Sequence, residues 1–159
     1  MNKTLYKQEK TISILGCGWL GLPLAKFLMK NACSVKGSTP TPEKISRLAQ
    51  DGITPYLIFF DPEINADFDA DFFNSEILIV NFPPKRREDI EEFHPKQFKA
   101  LIEQLNLSSV KKVIFISSTS VYANLNRLVT EEDNQIPEKN SGKALRIVEK
   151  MLLSQQNFQ

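Results

Sequence analysis

At 159 residues, with 42% apolar and 25% charged side chains, the chain has the size and composition of one water-soluble globular domain with a sizeable core. A net charge of +1 carries no electrostatic footprint for nucleic acid or an anionic membrane, and no stretch approaches the roughly 20 apolar residues that span a bilayer. The two cysteines, Cys17 and Cys33, have neither metal-ligand nor redox spacing, so no disulfide framework or metal site is expected and a reducing cytoplasm fits.

Lys3, Lys7 and Lys10 precede an apolar run from Ile12, a pattern shared with cleaved signal peptides. Gly16, Gly18, Gly21, Pro23 and Lys26 interrupt that run, and a strand, a turn and a helix account for it better. Short runs apolar on both faces predict buried parallel strands at Thr11–Leu15, Ser34–Gly37, Pro55–Phe60, Ile77–Asn81 and Lys112–Ser117. Between them the pattern turns helical at Leu20–Lys30, Pro42–Gln50, Glu91–Leu105 and Gly142–Ser154, while Glu63–Phe73 reads as a loop or a short helix. Thr41 before Pro42 predicts an N-cap followed by a proline at the first helical position. In the last helix Ala144, Ile147, Val148, Met151 and Leu152 form one apolar stripe, suited to the core or to a homodimer contact. The β-α-β-α alternation predicts a single three-layer α/β domain over residues 1–159, a Rossmann-type doubly wound and mainly parallel sheet of about five strands. A second mononucleotide-binding half would add a sixth strand.

Residues 16 to 21 read Gly-Cys-Gly-Trp-Leu-Gly, a G-x-G-x-x-G turn that follows an apolar strand and opens a helix. In that context Gly16 permits the tight turn, Gly18 lets the backbone approach a pyrophosphate, and Gly21 lets helix and strand pack closely. The backbone of Trp19 and Leu20 and the positive end of the helix dipole would complete an anion cradle. A nicotinamide dinucleotide, NAD or NADP, is the expected ligand.

The second strand should set the choice between the two. An NAD site carries an acid there, ~20 residues past the glycines. Here the run is Val35-Lys36-Gly37-Ser38-Thr39-Pro40, without an acid before Glu43. Ser38 and Thr39, with Lys36 or Lys44 for charge, suit a 2′-phosphate and favour NADP, although turn and capping roles account for them nearly as well. Asp61 ends the third strand, where it either reaches the adenine or is a solvated turn acid. Asn81, Phe82 and Pro83 end the fourth strand, at the carboxyl edge where such sheets bind ligands. Lys85-Arg86-Arg87 beyond them suits a solvated loop more than an anionic substrate, and His94, the one histidine, sits in a charged helix start that suggests a surface or capping role.

Three segments carry a resemblance: Ile14 to Ala25 around the glycine turn, Ile114-Phe115-Ile116-Ser117-Ser118-Thr119-Ser120-Val121-Tyr122, and Thr130-Glu131-Glu132 with Pro137, Ser141-Gly142-Lys143-Ala144-Leu145 and Glu149. Together they resemble the extended short-chain dehydrogenases of the NAD-dependent epimerase/dehydratase group, and an atypical bacterial branch of it in particular. The resemblance implies Ser117 at the cofactor, Ser118 in the catalytic serine role and Tyr122 in a structural one. It puts Ser141 where working members carry the catalytic Tyr and Leu145 where they carry its Lys. A serine hydroxyl is a far weaker acid than an activated phenol, and leucine has no charge, so the acid–base pair is replaced in that register. Tyr122 and Lys139 remain as candidates for a relocated pair.

The expected function is therefore a dinucleotide-binding Rossmann protein with weak or no redox turnover. The alternatives are an active NADP-dependent oxidoreductase or nucleotide-sugar epimerase with a non-standard acid (Ser118, Tyr122 or Ser141), or the N-terminal part of such an enzyme, lacking the C-terminal substrate region. The substrate, a small molecule, is not legible.

Overall fold

The computed structural model describes residues 10–159; Lys3 and Lys7 of the signal-like pattern lie outside them. Strand β1 (Lys10–Leu15) leads through helix α1 (Gly21–Lys30) to β2 (Cys33–Thr39), then through α2 (Ile45–Gln50) to β3 (Thr54–Leu57). A long crossover with a 3-10 turn at Ala70–Phe73 reaches β4 (Ile77–Val80), and α3 (Ile90–Asn106) leads to β5 (Lys112–Phe115). A second 3-10 turn at Thr119–Val121 and an extended loop precede α4 (Asn140–Leu153). All strand pairs are parallel, in the order β3-β2-β1-β4-β5. This is the Rossmann-type doubly wound arrangement, and its order reverses between β1 and β4, the switch point beside which such sheets bind ligands.

Strand alternation builds the three layers. Ile12 and Ile14 of β1 face α1 and α2, in a core with Ala25, Val35, Leu48 and Ile53. Leu15 faces the other way, into the core of Tyr56, Phe72, Leu78, Phe98, Leu101 and Val148. Ser13, on that second face, is fully buried and donates its hydroxyl to the Phe72 carbonyl at 2.6 Å.

Several expected boundaries shift, each for a local reason. The third strand ends at Leu57 instead of Phe60, because buried Asn65 replaces the next strand neighbour. Its Oδ1 accepts from the Phe59 N–H at 3.0 Å and its Nδ2 donates to the Leu57 carbonyl at 3.3 Å. The 42–50 helix is a 3-10 turn (Pro42–Lys44) running into α2, and Thr41 makes no side-chain cap. Instead the Thr39 hydroxyl accepts from the Thr41 N–H at 3.2 Å. In α4, Leu145 is buried and Ile147 is the more exposed residue, so the inward stripe is Ala144, Leu145 and Val148.

His94 departs most from expectation: it is fully buried in α3, not on the surface. With Phe98, Leu101 and Leu105 it falls on the core stripe of that helix, and its ring packs edge-on against Phe82 and Phe98. Nδ1 lies 2.9 Å from the Gln97 Oε1, and Gln97 Nε2 donates to the Phe60 carbonyl at 2.8 Å. Burial holds the imidazole below its ordinary pKa, so it is neutral near pH 7.

Candidate functional site

The carboxyl ends of β1, β2, β3 and β4 meet around the glycine turn. Gly16 has φ +105°, a conformation that L side chains rarely adopt, and a Cβ there would lie 2.5 Å from the Asn81 carbonyl oxygen. A Cβ on Gly21 would lie 2.2 Å from the Gly16 carbonyl oxygen, so only glycine lets α1 start this close to β1. At Gly18 nothing lies within 4 Å of the same position. Two of the three glycines are thus demanded by packing, and the third opens onto free space.

Neighbouring strands clamp the turn. The Gly16 N–H donates to Ser38 Oγ at 3.0 Å, the Cys17 N–H to the Ser38 carbonyl at 2.8 Å, and Asn81 Nδ2 to the Gly16 carbonyl at 3.2 Å. Helix α1 has no side-chain cap and no acid in its first turn. The Leu22 N–H donates to the Gly18 carbonyl at 3.0 Å and Pro23 has no N–H. The donors left for an anion are the backbone N–H groups of Gly18, Trp19, Leu20 and Gly21, which make no hydrogen bond among the described residues, and the dipole favours an anion there. Trp19 stands 90% exposed beside them, and Leu20 is also exposed. Cys17 is buried against Gly37, and burial pushes its thiol up to about 12. It packs the turn and is no nucleophile.

Next to the turn lies a cleft of about 250 Å³ lined by Gly16, Ser38, Pro40, Phe59, Phe82 and Pro83, with Pro84 and Lys85 also on its wall. Phe82 is stacked between Phe60 and Phe98, with centroid distances of 5.7 and 5.1 Å. The lining is mainly flat and apolar, and the volume is below the roughly 300–1,000 Å³ of a pocket for a whole drug-sized ligand. It suits one base and its ribose. Gln97 on the wall belongs to the buried His94 chain, which braces the β3 end at Phe60.

Other expected contacts fall outside this cleft. Thr39, next to Ser38 on an alternating strand, takes the opposite side and serves the Thr41 N–H. Asp61 is exposed just past Phe60, its N–H donating to the Glu63 carbonyl at 2.8 Å. Lys36 is withdrawn from any phosphate: Nζ binds the Asp71 carboxylate at 2.9 Å and the Asn74 carbonyl at 3.0 Å. The run Lys85-Arg86-Arg87 is divided. Arg87 pairs with Asp89, its guanidinium carbon 3.5 Å from the Phe93 ring centroid, whereas Lys85 is exposed and has no ion pair among the described residues.

No protein-family model matches the chain. Over 146 residues it is 32% identical to Protein YeeZ of Escherichia coli K12, an alignment that covers 90% of this chain and 53% of that protein. The chain thus spans about half the length of the curated relatives it matches. Among solved structures it is similar to a UDP-glucuronic acid 4-epimerase from Bacillus cereus in complex with NAD (TM-score 0.69, 20% identity, 90% of this chain and 51% of that one). It is also similar to the yeast methylglyoxal/isovaleraldehyde reductase Gre2 complexed with NADPH (TM-score 0.65, 14% identity, 88% and 51%). At these identities the likeness establishes the fold. The fold is Rossmann-type.

The resemblance-based catalytic positions gather after β5. Ser117 donates to the Glu149 carboxylate of α4 at 2.6 Å. Ser118 accepts from the Ser120 N–H at 3.2 Å and caps the 119–121 turn. Half-buried Tyr122 lines a cavity of about 400 Å³ with Thr119, Ser120, Asn124, Glu138 and Lys139. Ser141 is half-buried in the first turn of α4, and Leu145 is buried. Gly142 carries a signal that spacing alone does not show: a Cβ there would lie 2.1 Å from the Ser120 carbonyl oxygen, so α4 seats on the serine turn only through a glycine.

Proposed function

We propose that this chain binds a nicotinamide dinucleotide, its pyrophosphate against the backbone of Gly16, Gly18, Trp19, Leu20 and Gly21 and its adenosine half between Ser38, Phe82 and Pro83. The observation that carries this reading is the division of labour in the turn. Gly16 and Gly21 are closed by backbone within 2.5 Å, while the Gly18 position is open for 4 Å. A merely structural glycine turn has no need of that open third position. The donor set fits the ligand: the unpaired N–H groups of Gly18, Trp19, Leu20 and Gly21 for two linked phosphates, and an aromatic and proline-walled cleft for the purine.

NADP is the favoured form, since the β2 end carries Ser38, Thr39 and Pro40 in place of an acid. A bound dinucleotide would supply hydride transfer at its nicotinamide ring. The residues toward that end support weak or absent turnover. Position 145 is a buried leucine and position 141 a serine, so neither supplies a tuned acid. An active reductase or epimerase is the second reading, favoured by Tyr122 and Lys139 lining one cavity. The activity, substrate and partners of a protein as long as the curated relatives belong to the same proposal.

Calorimetry and thermal shift with NADPH and NADH test the first reading. At 100 times Kd, binding adds ~2.7 kcal/mol, or roughly 5–10 °C in Tm at this size. No shift and no heat with either dinucleotide defeats it. Turnover of a nucleotide-sugar panel that Tyr122→Phe abolishes would favour the second.

A further inference from the structure

We propose that Lys85 reads the 2′-phosphate of the adenosine ribose, and so makes the cleft selective for the phosphorylated dinucleotide. The proposal rests on the cofactor reading above and extends it to a residue beyond β2, the strand at which such selectivity is usually set.

Charge accounting leads there. Among the side chains lining the cleft, Lys85 is the one ionisable group. Lys36, the cation that strand position alone would nominate, is held by the Asp71 carboxylate and the Asn74 carbonyl on the face that packs against the 70–74 segment. Lys44 lies in the 42–44 turn, outside the cleft lining. Arg87 is committed to Asp89 and to the Phe93 ring. Lys85 stays uncommitted because Pro83 and Pro84 lead the chain out along the cleft wall, with Lys85 at its rim.

The opposite wall completes the argument. Recognition of a plain ribose diol typically uses a carboxylate, and the lining offers none. Ser38 accepts from the Gly16 N–H, which leaves its hydroxyl proton to donate, while Pro40 has no N–H to offer. With Ser38 buried at the base of the cleft and Lys85 exposed at its rim, the ammonium is the group that can meet a ligand, and it makes a charge-assisted hydrogen bond with an anion that it does not make with two neutral hydroxyls.

The test is titration of the 159-residue chain and two variants, Lys85→Gln and Lys85→Arg, with NADPH, NADH, 2′,5′-ADP and 5′-AMP by calorimetry. Lys85→Gln is expected to weaken NADPH and 2′,5′-ADP about tenfold, the scale of one charge-assisted hydrogen bond at a half-open site. It should leave NADH and 5′-AMP within about twofold, and Lys85→Arg should restore the phosphorylated ligands. Added salt should weaken NADPH more steeply than NADH in the wild type, and equally in Lys85→Gln. Equal losses for both dinucleotides, no loss for NADPH, or a wild-type preference for NADH overturns the proposal and leaves the cofactor reading standing. Absence of binding by the wild type to all four ligands overturns both.

Discussion

The three turn glycines make a comparison in which fold and binding come apart. Gly16→Ala puts a Cβ 2.5 Å from the Asn81 carbonyl oxygen at φ +105°, and Gly21→Ala puts one 2.2 Å from the Gly16 carbonyl oxygen. Each obstacle is backbone, not a flexible side chain. Left-handed strain costs about 1–3 kcal/mol and overpacking a similar amount, so Gly16→Ala should lose about 2–6 kcal/mol and Gly21→Ala about 1–3 kcal/mol. At 2–4 °C per kcal/mol, the melting temperature should fall by roughly 4–24 °C and roughly 2–12 °C respectively. Gly18→Val meets open space and carries no positive φ, so its stability should stay within about 1 kcal/mol of wild type. Its isopropyl group would nevertheless occupy the position a phosphate has to approach, and NADPH affinity should fall by a factor on the order of 100. Differential scanning fluorimetry supplies the first quantity and calorimetry the second. A Gly18→Val protein that binds as wild type, or one that melts as early as Gly21→Ala, would refute the reasoning.

Three further outcomes are expected. Ser38→Ala removes the acceptor of the Gly16 N–H, which should cost about 1–3 kcal/mol in chemical denaturation and weaken dinucleotide binding as the turn loosens. Native-state thiol titration should find Cys33 reacting and Cys17 protected until unfolding, since burial holds the Cys17 thiol up at about 12. Stability should fall on the acid side in two stages. Neutral His94 is favoured by the fold, so stability is full above about pH 6.5 and declines below it as the unfolded chain takes up the proton. His94→Gln should flatten that stage in urea titrations at pH 7 and pH 5. Asp71 is held down at about 2 by Lys36 and Tyr56, so its contribution persists above its ordinary range near pH 4 and vanishes as the pH approaches 2; Asp71→Asn should remove that stage.

Local pattern was enough for the fold class, the strand–turn–helix around Gly16 to Gly21 and the approximate place of every strand. These features depend on near-neighbour chemistry: two-sided apolar runs, glycine spacing, and a proline after a turn residue. Residues whose role is set by distant partners were not legible. Lys36 looked free for a phosphate until the fold brought Asp71 to it, 35 positions later. His94 looked like surface among charged neighbours until helix α3 turned it, with Phe98, into the core beneath the cleft. Asn65 cut the third strand short through hydrogen bonds that no periodicity records. The sequence alone determined a glycine turn at the carboxyl edge of a parallel sheet, because a glycine's freedom and a strand's alternation travel with the residue itself. Which side chains stand free to meet a ligand, Lys85 and not Lys36, was decided only by the tertiary structure, because a charge is available only where no other part of the chain has already neutralised it.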